Sequence, residues 1–131
     1  MASELRVNTL KDASGNNSIG VSYVAKGSAK MWGATNLQGT HASDDSFNVS
    51  SQTDGGAGLI NYTLTSAMNQ AINITHVSSD GDNANYTGGG RLNDPRDNGS
   101  TTVVPVAHYE TSTGGNYDTL YGSVATWGDL A

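Results

Sequence analysis

Three histidines, twelve carboxylates and no cysteine are the residues of this 131-residue chain best suited to acid–base or metal chemistry. His41, His76 and His108 lie far apart, with none of the close His-x-His or His-x3-His spacings that mark a metal site. Asp80-Gly81-Asp82-Asn83-Ala84-Asn85 has the oxygen density that calcium favours. An EF-hand loop, however, needs an acceptor at its fifth position and a glutamate at its twelfth, where this chain has Ala84 and Arg91. Asp44 with Asp45, or Asp94 with Asp97, could be a hydrolytic carboxylate pair only if the two straddled a bond in a cleft. Neighbours along one strand point to opposite faces instead. No serine sits in a Gly-x-Ser-x-Gly elbow. The residues therefore predict no catalytic set, no metal site and no cofactor.

The elements that would position any site read as strands. From Asp45 to Met68, Phe47 and Val49 alternate with Ser46, Asn48 and Ser50. After Asp54-Gly55-Gly56-Ala57-Gly58, Ile60, Tyr62 and Leu64 alternate with Asn61, Thr63 and Thr65. A period of two interrupted by glycines predicts a half-buried β-hairpin. Further strands are expected at Lys30–Trp32, at Ala71–Val77 with Ile72, Ile74 and His76 on one face, at Thr102–Tyr109, and at Leu120–Trp127. His76 and His108, each continuing an apolar face, could then meet across a sheet. Pro105 has no N–H to give a ladder, which predicts an edge strand or a bulge. Residues 78–102 are dense in Gly, Asn, Asp and Ser and read as loops. Short strands between such turns predict an all-β fold, an antiparallel β-sandwich or small barrel.

Residues 1–27 read differently. Leu5, Val7 and Thr9 alternate, Ser14-Gly15-Asn16-Asn17 turns, and Ile19, Val21 and Tyr23 alternate again. So little apolar surface does not make an independent unit. The expected organisation is an extended arm over 1–27 and a β-sandwich head over 28–131. Leu5, Val7, Ile19, Val21 and Tyr23 are the arm's anchoring residues, toward neighbouring subunits or another protein. An edge hairpin within the same subunit is the alternative.

Composition narrows the function classes. Only 35% of residues are apolar, with one Phe and 17 Gly, whereas a domain of this size must bury roughly two-thirds of its unfolded surface. Burial between subunits is the simplest remedy, which predicts an oligomer. A net charge of −6, with the basic residues scattered, argues against nucleic acid and anionic membrane as partners. No apolar run approaches the length of a membrane span, and Met1-Ala2-Ser3-Glu4 does not read as a secretory signal. Six Asn-x-Ser/Thr triplets follow from the abundance of those residues and carry no functional weight.

The wording of the hairpin, DSFNVSSQTDGGAGLINYTLTSAM, resembles that of small tail-fibre-like virion proteins of marine and cyanobacterial bacteriophages. Leu5–Asn17 looks like their amino-terminal arm, Ala29-Lys30-Met31-Trp32 like an Ala-Lys-Ala-Trp element, and Ser123–Leu130 like their closing strand. The likeness runs through both ends in the family's order and weakens between about Ser78 and Gly122. It implies a homotrimer within a virion, assembled in the bacterial host cytoplasm, without catalytic activity, and bound to other phage virion proteins. The expected role is host attachment as a tail-fibre component. In that case loops at 78–100 and 111–118 face a host surface glycan or protein, with Tyr86, Arg91, Arg96 and Tyr117 as candidate contacts. Packing of these rings against the sheet is the structural alternative for the same residues. A capsid decoration or fibre-adaptor protein is the alternative function.

Overall fold

The computed structural model describes residues 3, 6–71, 74–80, 88–92, 99–111 and 114–131, with the side chains of 88, 89, 91 and 92 outside the description. Leu5, Ile72, Tyr86, Asp94, Arg96 and Asp97 lie outside the described residues. The described residues are all-β apart from one short helix. Its elements are β1 (Thr9–Lys11), β2 (Ser18–Gly20), α1 (Val21–Gly27), β3 (Met31–Asn36), β4 (Ala42–Phe47), β5 (Val49–Gly56), β6 (Leu59–Leu64), β7 (Ile74–Asp80), β8 (Gly88–Leu92), β9 (Val103–Glu110) and β10 (Tyr121–Trp127). They form three antiparallel sheets: β1-β2, then β4-β3-β10-β7, then β5-β6-β9-β8.

The two four-stranded sheets share one core, which makes them a sandwich. Met31 and Val124 from the first sheet meet Ile60, Tyr62, Leu64, Val104 and Val106 from the second, with Val49 and Val77 at the margins. The alternation of Ile60, Tyr62 and Leu64 places all three on the dry face, as a period of two requires. Met68 closes one end of this core at 0% exposure. The segment carrying it is tied down by hydrogen bonds from Met68 N–H to Thr101 O and from Asn69 N–H to Asp129 O, both 2.7 Å.

Asn48 separates what the alternation reads as one strand. Phe47 ends β4 on the exposed face of the first sheet, whereas Val49 begins β5 in the second. Asn48 turns this corner with φ at 58°, a region in which Asn is enriched over other non-glycine residues. Its side chain holds both sheets: Nδ2 donates to Lys30 O (3.0 Å) and Ser66 O (3.1 Å), and Oδ1 accepts from Ser66 N–H (2.7 Å).

Three other expectations change. Ile19, Val21 and Tyr23 do not continue one strand: β2 stops at Gly20 and Val21–Gly27 is helical. Val21, Val24 and Ala25 also carry the i, i+3, i+4 spacing of a helix, and that period prevails. Within the segment read as loops, Gly88–Leu92 pairs with β9 as an edge strand. Finally, β9 is an interior strand despite Pro105. Hydrogen bonds from His108 N–H to Gly58 O and from Leu64 N–H to Thr102 O put the even-numbered residues of β9 toward β6. Pro105 nitrogen therefore points away from β6, so its missing donor does not interrupt the β6–β9 ladder.

The amino-terminal hairpin is built by its turn. Asp12 accepts Asn16 N–H (3.0 Å) and the Asn17 side-chain amide (2.8 Å), and Gly15 takes the left-handed conformation with φ at 72°. The Asn17 amide, first among several bonds, holds the Asp12 carboxyl below its ordinary range. Leu10 and Ile19, directly paired across the hairpin, are both largely exposed.

Candidate functional site

Two places in the sandwich bring chemistry-bearing side chains together. The first is the outer face of the β4-β3-β10-β7 sheet, where the registers line residues up in rows. Phe47, Trp32, Ala125 and His76 form one row across all four strands. Asp45, Ala34, Ser123 and Ser78 form the next, and Tyr121 opposite Asp80 the one after. Trp127 opposite Ile74 extends the apolar end. Phe47 is 53% exposed, Trp32 37%, Ile74 77% and Tyr121 52%. Phe47, Trp32, Trp127 and Ile74 thus form an apolar end of the outer face, and the polar row of Asp45, Ser123 and Ser78 separates it from Tyr121. Exposed apolar side chains grouped in this way mark interaction surfaces in soluble proteins.

The second is the polar end of the sandwich, opposite the Met68 end. Thr35 Oγ1 donates to Gln52 Oε1 (3.0 Å), so its 2.9 Å contact with Tyr62 is made by the phenol donating to Thr35. Burial raises the Tyr62 phenol above its ordinary value. Beside them His41, with a side chain only 6% exposed, lies between two carboxylates: Nδ1 is 3.7 Å from Asp54 and Nε2 3.7 Å from Asp118. Each carboxylate is fixed by a glycine amide, Gly56 N–H on Asp54 (2.7 Å) and Gly58 N–H on Asp118 (2.6 Å). Gly58 has φ at 66°, and a Cβ there would collide with the backbone of His108 and Tyr117.

His108 points into the same end at 0% exposure. Its Nδ1 meets Ser79 Oγ at 2.5 Å. Burial, and then the neighbouring His41, push its pKa down to about 4. His108 Nε2, His41 Nδ1 and Gln52 Nε2 are buried without a hydrogen-bond partner.

The arrangement decides what this cluster can do. A nucleophilic triad needs a hydroxyl on one imidazole nitrogen and an orienting carboxylate on the other. His108 has the serine and no carboxylate; His41 has the carboxylates and no serine. His41 also directs its two nitrogens at different aspartates, so the three do not converge on one point. Among the described residues no group of three His, Cys, Asp or Glu side chains could hold a metal ion. The cluster sets two buried imidazoles, His41 and His108, against partly exposed carboxylates at the polar end.

The residues expected from the sequence are placed as follows. Val7, Ile19 and Tyr23 are exposed, Tyr23 at 74%, and Val21 is half-buried at the start of α1. Arg91 has its backbone in β8 opposite Ala107. Tyr117 is exposed near the polar end, its N–H donating to His108 O at 3.0 Å. Tyr86 and Arg96 lie outside the description, so no cluster of the four candidate contacts is described. His76 faces outward and His108 inward, and they do not meet. The outer-face rows escape sequence reasoning because they depend on strand order. Trp32, Phe47 and Trp127 signal them only as aromatics on short strands.

No protein-family model matches the chain, no curated protein matches it, and no solved structure matches it. Among the described residues no helix is long and apolar enough to cross a membrane.

Proposed function

We propose that this chain is a non-enzymatic structural protein of a bacteriophage virion, a tail-fibre component that serves host attachment as a homotrimer. The observation that carries the reading is the apolar ridge of Phe47, Trp32, Ile74 and Trp127 on the outer face of the first sheet. Apolar side chains at this exposure are stabilised by covering them, at about 25 cal/mol per Å² of apolar surface removed from water. In this reading the ridge packs between subunits. The hairpin and helix of residues 1–27, with exposed Leu10, Ile19 and Tyr23, form the arm that docks on other virion proteins. The remaining head surface is free to meet the host. The sequence resemblance of the hairpin and both ends to tail-fibre-like virion proteins supports the same assignment, and assembly in the bacterial cytoplasm suits a chain without cysteine.

Light scattering on the purified chain tests the oligomer, with three times the chain mass expected. Gold-labelled antibody on purified phage tests the location. Label at the tail, together with competition between the free protein and phage for adsorption to cells, is the expected result. Label spread over the capsid shell, with adsorption unchanged, would replace attachment by capsid decoration.

A further inference from the structure

On the outer face of the first sheet a row of small residues runs between rows of larger ones. Ala34, Ser123 and Ser78 make the small row. Trp32 and His76 stand on one side of it, Tyr121 and Asp80 on the other. Alternate residues of a strand are about 6.8 Å apart, so the larger rows stand roughly 14 Å from each other with a trough between them. The trough is a groove of about 390 Å³, bordered by Tyr121 and Asp80 with Ala34, Ser78 and Ser123 along it. That volume lies within the range of small-molecule sites.

We infer that this groove binds a neutral saccharide. Tyr121 offers a half-exposed ring on which the C–H face of a sugar can lie, burying area with little loss of side-chain freedom. Asp80, its direct cross-strand partner, is an acceptor-only carboxylate and so suits a pair of sugar hydroxyls. Ser78 Oγ and Ser123 Oγ are 2.7 Å apart. One donates to the other, which leaves the pair one O–H and several lone pairs, the complement of a further hydroxyl. Ala34 keeps the middle of the groove low.

Charge and size separate this ligand from others. Among the described residues no Lys or Arg borders the groove, and Asp80 together with the chain's net charge of −6 opposes acidic sugars and phosphates. A quaternary amine would use the ring and the carboxylate but not the hydroxyl pair. The groove strip across three strands offers roughly 200 Å², short of the about 800 Å² per partner that a second copy needs. The proposed subunit contact therefore rests on the Trp32–Phe47 row and not on the groove itself. The inference deepens the attachment reading and rests on it only for its biological use.

The test is titration of the nitrogen-15-labelled full chain with maltotriose, triacetylchitotriose or galactobiose, and separately with choline. At least one saccharide is expected to shift the Ala34, Ser78, Gly122 and Ser123 amides saturably, with a dissociation constant of roughly 1 mM. Tyr121→Ala should weaken this about tenfold, the scale of one lost aromatic contact, and Asp80→Asn should weaken it less. Thr53→Ala, exposed on β5 of the other sheet and outside both the groove and the apolar ridge, should leave it unchanged. Dispersed spectra report that each variant folds. No saturable shift with any of the three saccharides, shifts that survive Tyr121→Ala, or a response to choline alone would overturn the inference. Adsorption is scored separately. Saccharide binding without competition against phage keeps the groove and rejects attachment; competition without saccharide binding does the reverse.

Discussion

The ring of His108 occupies the space that Gly122 leaves between the two sheets. A Cβ built on Gly122 would stand 2.5 Å from Cε1 and 2.7 Å from Nε2 of that ring, and 2.7 Å from Leu37 Cδ1. Both neighbours are fully buried, so neither can swing into solvent without opening the polar end. Gly122→Ala should therefore overpack the site and destabilise the chain by about 1–3 kcal/mol. The measurement is a urea midpoint that falls at constant slope. His108→Ala removes the clashing ring, so the double variant should lose less than the sum of the two single losses. Strict additivity would mean that ring and glycine do not compete for the same space.

Acid should weaken the same end. The folded chain holds His108 at about 4 against an ordinary value of 6.5, because burial penalises the imidazolium. Between these values the unfolded chain binds a proton that the folded chain does not. The stability linked to this group is thus complete above about pH 6.5 and declines as pH falls toward 4. At about pH 5 the expected loss is on the order of 2 kcal/mol. Urea unfolding at about pH 7.5 and about pH 5 reads it, and His108→Gln should flatten the difference. A wild-type stability that did not fall over this interval would contradict the buried neutral imidazole.

The corner at Asn48 gives a graded series. Asn48→Ala loses the bonds to Lys30, Ser66 and the Ser66 amide and places a Cβ residue less tolerant of this backbone at φ 58°. At about 1 kcal/mol per bond and about 1 kcal/mol for the left-handed backbone, the loss should reach roughly 3–4 kcal/mol. Asn48→Gly loses the same bonds without the backbone penalty and should be milder by about 1 kcal/mol. Asn48→Asp keeps the acceptor for Ser66 N–H but not the two donors, and thermal melts should place it above Asn48→Ala. Equal melting temperatures for the Ala and Gly variants would remove the backbone from the account.

What the sequence discloses and what it hides divide along physical lines. Ile60, Tyr62 and Leu64 disclose their burial because a strand with one dry face alternates whatever its partners are, whereas β9 is buried on both faces from Val104 to His108. Phe47 and Val49 alternate too, yet belong to different sheets, because a corner at one residue leaves the period intact. Gly88-Gly89-Gly90 reads as turn, since its strand is imposed by the waiting edge of β9 rather than by its own preference. His41 finds Asp54 and Asp118 only after the hairpin tip and the segment before β10 meet, and no sequence spacing encodes that. The saccharide groove is hidden in the same way: Ala34, Ser78 and Ser123 become one row only through the order β3-β10-β7.

The apolar ridge supplies the last prediction, which bears on the proposed trimer. Phe47 and Trp32 are direct cross-strand partners on the outer face and together expose more apolar surface than a monomer gains from keeping. Replacing both by Ser should lower the intrinsic stability of one subunit only modestly, by about 1–2 kcal/mol, because the rings are 37% and 53% exposed and leave no core cavity. Association should suffer far more, because aromatic anchors near the centre of an interface each contribute about 2 kcal/mol or more. The double variant is thus expected to elute as a monomer at concentrations where the parent is trimeric, with a dispersed amide spectrum retained. It should also unfold at a temperature independent of protein concentration, whereas the parent's should rise with concentration. A trimer of unchanged mass in the Trp32→Ser, Phe47→Ser variant would move the subunit contact off this face and onto the amino-terminal hairpin, where Leu10 and Ile19 are the next pair to replace.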